Sequence, residues 1–112
     1  MVQYLRRLDG GFAALADPTR RGVLEQLFSG DASISDLAAK FDLTLTGMKK
    51  HVQILERSGF VTTEKVGRVR TCRLGPRRLE DEAAWISRYR RMAEARLDRL
   101  GNLLERTKGT PS

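Results

Sequence analysis

The fold of this chain is indicated most strongly by residues 33–61, which read SISDLAAKFDLTLTGMKKHVQILERSGFV. Two amphipathic segments lie in this stretch, and each is opened by a residue that favours a helix N-cap, Ser33 and Thr44. Gly59 follows the second segment and favours its termination. The pattern predicts two short helices joined by a tight turn, over residues 33–41 and about 44–58.

The residues that follow change from a helical to a strand period. Valine, threonine and phenylalanine are enriched between Phe60 and Leu74, and Val66-Gly67-Arg68 lies midway, which predicts a β-hairpin. Two helices followed by a hairpin are typical of a winged helix-turn-helix. We therefore predict a mainly α fold with a small β-hairpin, with the recognition helix at about 44–58 and the wing at about 60–74.

Further amphipathic helices are predicted on both sides of this core. Residues 3–16 form one, and another begins at Asp17-Pro18, where Asp17 favours the N-cap. Pro76 precedes a long helix over about 77–106, whose apolar residues recur seven apart. Residues 1–106 are predicted to form a single domain, and residues 107–112 a flexible tail.

The N- and C-terminal helices carry apolar stripes broad enough to bind a second copy of the chain. A two-fold dimer would present two recognition helices to an inverted repeat. The alternative is a monomer in which the long helix covers its own core. The side chains predicted at the dimer interface are Tyr4, Leu5, Leu8, Phe12, Trp85, Tyr89, Leu97 and Leu100.

The net charge of +7 is concentrated in one segment of the 112 residues. Residues 44–78 carry two acidic side chains, Glu56 and Glu64, against nine basic ones. A basic surface confined to one segment favours a polyanionic partner. The alternative is a charge that only keeps the protein soluble. The nine basic residues are Lys49, Lys50, Arg57, Lys65, Arg68, Arg70, Arg73, Arg77 and Arg78.

Double-stranded DNA is the predicted polyanion. Lysine can bind guanine edges or phosphates, and glutamine can bind adenine, from a helix in the major groove. A wing contacts phosphates or the adjacent minor groove. The alternatives are a solvated helix face and a charged edge strand that blocks aggregation. The predicted DNA-binding residues are Thr44, Thr46, Gly47, Lys49, Lys50, His51 and Gln53 of the helix, and Lys65, Arg68 and Arg70 of the wing.

Three stretches together resemble the ArsR-type winged-helix repressors: LADPTRRGVLEQL (15–27), residues 33–61 and KVGRVRTCRL (65–74). The resemblance implies a homodimer that represses transcription from an operator of two half-sites. It matches Thr44, Thr46, Lys49, Lys50 and His51 to the recognition-helix segment. It matches Arg68 and Arg70 to the wing. The sequence departs from the usual pattern at Gly47, Lys49 and Cys72, where alanine, serine and an aromatic residue are common.

Metal and cofactor chemistry has little support in the sequence. Cys72 and His51 are the only cysteine and histidine, and two ligands in different elements cannot complete a tetrahedral zinc site within one chain. Residues 85–100 resemble the branch of the family that lacks metal sites. We predict no metal, no cofactor and no catalytic activity. Cys72 is interpreted as a packed apolar residue, with a redox switch activated by Arg70 and Arg73 as the alternative.

We expect a cytoplasmic protein without a membrane segment, because no apolar run approaches the roughly 18 residues of a span and the N-terminus lacks a secretory pattern. Two other functions stay open. One is sequence-independent nucleic-acid binding in an architectural role, and the other is a winged-helix module that binds proteins. The effector of a repressor could be a small molecule, a protein partner or none.

Overall fold

A computed structural model describes residues 1–109 and shows a mainly helical protein with one small sheet. The chain forms two units, Met1–Glu80 and a second that starts at Asp81. The first is a winged helix-turn-helix, as predicted, and the second consists of helix. The elements in chain order are α1 (Val2–Leu15), α2 (Pro18–Phe28), β1 (Ala32–Ser33), α3 (Ile34–Lys40), α4 (Leu45–Arg57), β2 (Val61–Val66), β3 (Val69–Leu74) and α5 (Glu80–Gly109).

Three of the helices begin at the side-chain caps that the sequence predicts. An oxygen of each cap accepts hydrogen bonds from amides of the first helical turn, which would otherwise have no partner. Asp17 accepts from Thr19 at 2.8 Å and from Arg20 at 3.1 Å, Ser33 accepts from Asp36 at 3.0 Å, and Thr44 accepts from Gly47 at 3.1 Å.

The turn between α3 and α4 is tight and internally bonded. Asp42 adopts a left-handed conformation with φ 55°, and the Leu43 N–H donates to the Ala38 carbonyl at 2.9 Å. This turn lets both helices pack on α2 around one core, which Phe60 and Cys72 also enter. The buried residues of that core are Ala14, Val23, Leu24, Leu27, Ile34, Leu37, Ala38, Met48, Val52, Leu55, Phe60, Val61 and Cys72.

The sheet has three antiparallel strands in the order β1-β3-β2. β2 and β3 form the predicted hairpin, and Gly67, with φ 63°, occupies the turn position that favours glycine. β1 was not predicted. It has two residues, with Ala32 opposite Cys72, so its strand conformation depends on pairing with β3 and leaves no local pattern in the sequence.

The prediction that the last helix begins at about residue 77 is wrong, because residues 75–79 form a connector that is not helical. The Gly75 N–H donates to the Phe60 carbonyl at 2.8 Å, and the Arg77 N–H to the Gly59 carbonyl at 3.2 Å. A side chain at Gly75 would lie 2.4 Å from the Gly59 oxygen, so this close approach requires glycine. Leu79, with φ 67°, precedes α5 and is not part of it.

The far end of α5 also differs from the prediction. The helix continues to Gly109, so the predicted tail, residues 107–112, is wrong for its first three residues, and residues 110–112 lie outside the described part. α5 exposes a long apolar face, in which the Trp85 and Tyr89 rings stack at 5.7 Å. Its exposed large apolar residues are Trp85, Ile86, Tyr89, Met92, Leu97, Leu100, Leu103 and Leu104.

Two apolar side chains have an exposure that the sequence pattern does not predict. Leu8 is only 5% exposed in the single chain, so its assignment to a dimer interface is wrong, because a buried side chain has no area left to contribute. Phe28 is 75% exposed at the end of α2, although it directly follows the buried Leu27. The sequence period predicts which face of a helix a side chain lies on. It does not show how far the neighbouring element that covers this face extends.

Candidate nucleic-acid interface

The recognition helix, α4, has one buried face and one outward face. Met48, Val52 and Leu55 are almost completely buried, and they anchor the helix to the core. Because successive helical residues turn by about 100°, the positions opposite these three carry Thr46, Lys50 and Gln53, which are exposed. α4 therefore presents a polar and basic face to the outside, as entry into a DNA groove requires.

Two cations of the wing, Lys65 and Arg70, lie on the face of the hairpin that packs on the core. Lys65 lies directly opposite Arg70, and Thr63 opposite Cys72. Because side chains alternate between the two faces of a strand, Lys65 and Arg70 share the face of the buried Cys72. Arg73 lies on the other face, where it contacts Asp31 at 3.5 Å and Glu64 at 3.4 Å.

A groove of about 360 Å³ lies between α4 and the wing, and four of the predicted cations line it: Lys49, Lys65, Arg68 and Arg70. We call it the cationic groove. Ser33, Ser35 and Leu45 also line it, and an adjacent recess is lined by Gln53, Lys49 and Arg70. The structure thus brings Lys49, Gln53 and the three wing cations together on one side of α4.

Arg70 is held in position by a chain of hydrogen bonds that the sequence did not reveal. Its guanidinium donates to Thr63 Oγ1 at 2.8 Å, and the Thr63 hydroxyl donates to Glu56 Oε2 at 2.8 Å. Glu56 is one of the two acidic residues in the basic segment. Its role here is to orient a cation through Thr63, which links the wing to the recognition helix.

His51 lies apart from the cationic groove. Its Nδ1 is 3.1 Å from the Arg20 guanidinium and 4.0 Å from Asp17 Oδ1. Arg20 also donates to the carbonyls of Ala13 and Ala14 at the end of α1. His51 is therefore engaged in tying α4 to α2 through Nδ1. Nothing in the local sequence pattern indicates that Arg20 meets a residue 31 positions away.

The N-terminal turn of α4 also contributes an apolar side chain to the cationic groove. Leu45 is 45% exposed and lines this groove. An apolar side chain at this position can contact a thymine methyl group. A side-chain carbon at Gly47, one of the predicted DNA-binding residues, would lie 3.1 Å from Thr44 Oγ1, in close contact with the cap.

Cys72 is fully buried within the described chain. Burial and the neighbouring Glu56 raise the pKa of its thiol to about 11, although Arg70 acts in the opposite direction. A thiol that stays protonated is a poor nucleophile. The structure therefore favours the packed apolar residue over the redox switch.

Two arginines of the basic segment have partners within the chain. Arg77 donates to the Ser58 carbonyl at 3.1 Å and to the Arg7 carbonyl at 3.0 Å, and it lies 4.9 Å from the centre of the Phe60 ring. Arg73 is engaged by acidic side chains, as described above. Two of the nine basic residues of the segment are therefore already engaged by partners within the chain.

Among residues 1–109 there is no group of three or more His, Cys, Asp or Glu side chains that could hold a metal ion. Within the same range, no helix has a stretch both long and apolar enough to cross a bilayer.

Comparison with known proteins identifies the family. A family model described as a helix-turn-helix domain matches residues 15–64. The crystal structure of an ArsR family transcriptional regulator is 45% identical; the match covers 84% of this chain and 97% of that one, with a TM-score of 0.76. The chain belongs to the ArsR family of transcriptional regulators.

Other ArsR-family and related regulators agree with this assignment. An ArsR-like transcriptional regulator from Rhodococcus sp. RHA1 is 30% identical, covers 94% of this chain and 96% of its own, and has a TM-score of 0.79. The transcriptional repressor SdpR of Bacillus subtilis (strain 168) is 28% identical over 78 residues, 70% of this chain and 87% of its own length. This ArsR-family protein is thus a transcriptional regulator with a helix-turn-helix DNA-binding domain, and these relatives are regulators, not enzymes.

Proposed function

We propose that this ArsR-family regulator is a repressor that binds double-stranded DNA as a homodimer, at an operator with inverted-repeat half-sites. The observation that carries the proposal is the cationic groove, in which Lys49 of α4 and the wing cations lie on one side of the recognition helix. The outward face of α4 enters the major groove, and the wing contacts the phosphates beside it.

The proposed DNA contacts form two groups, those to base edges and those to phosphates. Thr46, Lys50 and Gln53 point away from the core, so they meet base edges and are assigned to sequence recognition. Lys65, Arg68 and Arg70 lie on the wing, where cations meet phosphates and set register and affinity. Lys49 lies between these two groups, at the boundary of α4 and the wing. His51 is assigned a supporting role, because Nδ1 is engaged by Arg20 and only Nε2 is left to contact a phosphate.

The exposed apolar face of α5 supports the homodimer. Leu97 is 66% exposed and Leu104 62%, and a helix with so many exposed apolar side chains loses that exposure when it binds a second copy. A two-fold dimer would place its two recognition helices about 34 Å apart along the DNA axis, which matches half-sites one turn apart. Tyr4, Leu5 and Phe12 of α1 are assigned to the same interface.

The repressor activity is supported by the relative named a transcriptional repressor, SdpR. A dimer that covers an operator overlapping a promoter blocks transcription simply by occupying it. No enzymatic step and no bound cofactor are needed for that mechanism.

Two arginines of the wing provide a matched test of the DNA contact. Arg68→Gln and Arg73→Gln each remove one positive charge from the same hairpin, but Arg73 lies on the face away from α4 and is paired with acidic side chains. Arg68→Gln should weaken binding to every duplex and lower the slope of log K against log salt by about 1. Arg73→Gln should bind as the wild type does. Equal losses in fluorescence anisotropy titrations would contradict the assignment of the DNA-facing side.

Two substitutions on α5 test the dimer in the same way. Leu100→Glu places a charge in the apolar face, whereas Asn102→Glu adds the same charge on the opposite side of the helix. We expect Leu100→Glu to sediment as a monomer and to lose tight operator binding. Asn102→Glu should stay a dimer. A wild-type protein that sediments as a monomer at micromolar concentration would contradict the proposed assembly.

A further inference from the structure

A cavity of about 510 Å³ lies in the first unit, away from the cationic groove. The end of α2, the last residue of β3 and the connector before α5 line it. Its apolar walls include Leu24, Phe28, Phe60, Leu74 and Leu79. The volume falls within the range of about 300–1,000 Å³ that is typical of small-molecule sites. Phe28 is 75% exposed and Leu74 is 38% exposed, so the cavity opens to solvent beside these two side chains.

More basic than acidic side chains line the cavity. Arg21, Arg77 and Arg78 line it together with one acidic residue, Glu25. The Arg77 guanidinium is directed at the Ser58 and Arg7 carbonyls, so it is a fixed part of the wall. Arg21 donates from Nη1 to the Leu15 carbonyl at 2.7 Å, which leaves its other N–H groups able to donate. An apolar cavity with surplus arginines suits an apolar body that carries one anionic group.

We propose that this cavity binds a small, mainly apolar carboxylate, and that this ligand is the effector of the regulator. The hydrocarbon part lies among Leu24, Phe60 and Leu79, and the carboxylate lies at the rim, where Arg78 and Arg21 donate to it. The effector role rests on the proposed function, whereas the binding site itself does not.

The connector gives the ligand a route to influence the rest of the protein. Leu74 and Leu79 line the cavity at the two ends of this connector. Leu79 has φ 67°, a conformation that is costly for a leucine and persists only where its surroundings hold it. A ligand that packs against Leu79 changes those surroundings at the residue immediately before α5. Since α5 carries the proposed dimer interface, occupancy of the cavity is coupled to the affinity for the operator.

The binding site is tested first without DNA, by calorimetric titration of the full chain with octanoate and with 1-octanol, which has the same chain length but no charge. We expect saturable octanoate binding with one site per chain. Arg78→Gln should weaken octanoate binding about tenfold, as the loss of a hydrogen bond to a charged group does. Glu25→Gln should strengthen it, because a like charge is removed. Neither substitution should affect 1-octanol.

Leu74→Trp provides a variant that fills the cavity from its exposed side. It should abolish binding of both probes while the protein keeps the circular dichroism and unfolding midpoint of the wild type. Failure of the wild type to bind octanoate would overturn the proposed site. So would octanoate binding that neither Arg78→Gln nor Leu74→Trp alters. If Leu74→Trp instead changes the sedimentation of the ligand-free protein, the cavity is covered by a second copy, and the proposal is wrong.

The effector role is then tested with DNA. Saturating octanoate should change the dissociation constant for the operator by at least about fivefold, and Leu74→Trp should remove this response without removing DNA binding. Octanoate binding without any change in operator affinity would overturn the effector role alone. A protein that does not bind DNA even in the absence of octanoate would overturn the proposed function and leave the cavity result standing.

Discussion

Lys65 and Arg70 lie directly opposite each other on the two strands of the wing. Like charges in register on one face of a hairpin repel each other and destabilise the pair. Both side chains line the cationic groove, and Arg70 is further oriented by Thr63. An arrangement that is unfavourable in the free protein becomes favourable when a phosphate lies between the cations, which is why we assign this face to DNA.

Lys65→Gln should therefore have opposite effects on stability and on binding. Removing the repulsion should raise the free energy of unfolding by about 0.2–1 kcal/mol, and the gain should shrink in high salt as charges are screened. The affinity for DNA should fall. Urea unfolding at low and high salt, together with anisotropy titrations, would measure both. A variant that loses stability and keeps its DNA affinity would contradict the role of this pair.

The cap of the recognition helix should matter for stability. Thr44→Ala removes the hydroxyl that accepts from the Gly47 N–H at 3.1 Å, and the expected cost is about 1 kcal/mol. Thr46→Ala removes a hydroxyl from the same helical turn but no cap, and should change the free energy of unfolding by less than about 0.5 kcal/mol. Chemical denaturation of the two variants compares them. Equal costs would show that the cap does not determine where α4 begins.

Cys72 should be inert in the folded protein. With the pKa of its thiol raised to about 11 and the side chain buried, about one thiol in a thousand is ionised at pH 8. Ellman's reagent should react with it only at the rate of unfolding, and quickly in denaturant. Rapid reaction of the native protein at pH 8 would contradict this prediction and favour the redox switch.

Asp17 should make stability depend on pH in the acid range. Desolvation acts to raise its pKa, but the Arg20 and Thr19 amides and the charge of His51 together hold the pKa of this carboxyl below its ordinary value of 3.8. A lowered folded pKa adds stability above the unfolded value, and this is lost as the pH falls through the folded pKa. Asp17→Asn keeps a capping oxygen but does not titrate. The advantage of the wild type over this variant in urea unfolding should be full at pH 7 and smaller at pH 3; a constant advantage would contradict the shift.

Features with a local cause could be predicted from the sequence. The caps at Asp17, Ser33 and Thr44 and the turn at Gly67 depend on residues within a few positions, and the structure confirms all four. The ArsR-family assignment is also confirmed. The prediction of a winged helix-turn-helix follows from these features, because few other arrangements use two short capped helices followed by a basic hairpin.

The features that the sequence did not reveal depend on distant partners. The start of α5 is set by bonds from Gly75 and Arg77 to the segment around Gly59, which override the preference of Pro76 to begin a helix. His51 was predicted to bind DNA, yet its Nδ1 meets Arg20 from another helix. Of the predicted DNA-binding residues, Lys49, Lys65, Arg68 and Arg70 lie together along the cationic groove, and their contact with DNA stays a prediction.

The most direct test of the central claim is a binding titration of the purified protein against DNA from upstream of its own gene and against random duplex, at two salt concentrations. A sequence-specific repressor should bind the upstream DNA at least about a thousandfold more tightly than random duplex, with affinity that falls steeply as salt rises. Equal, weak binding to both duplexes would favour sequence-independent binding, and no binding at either salt concentration would favour a protein-interaction module; either result would contradict the account.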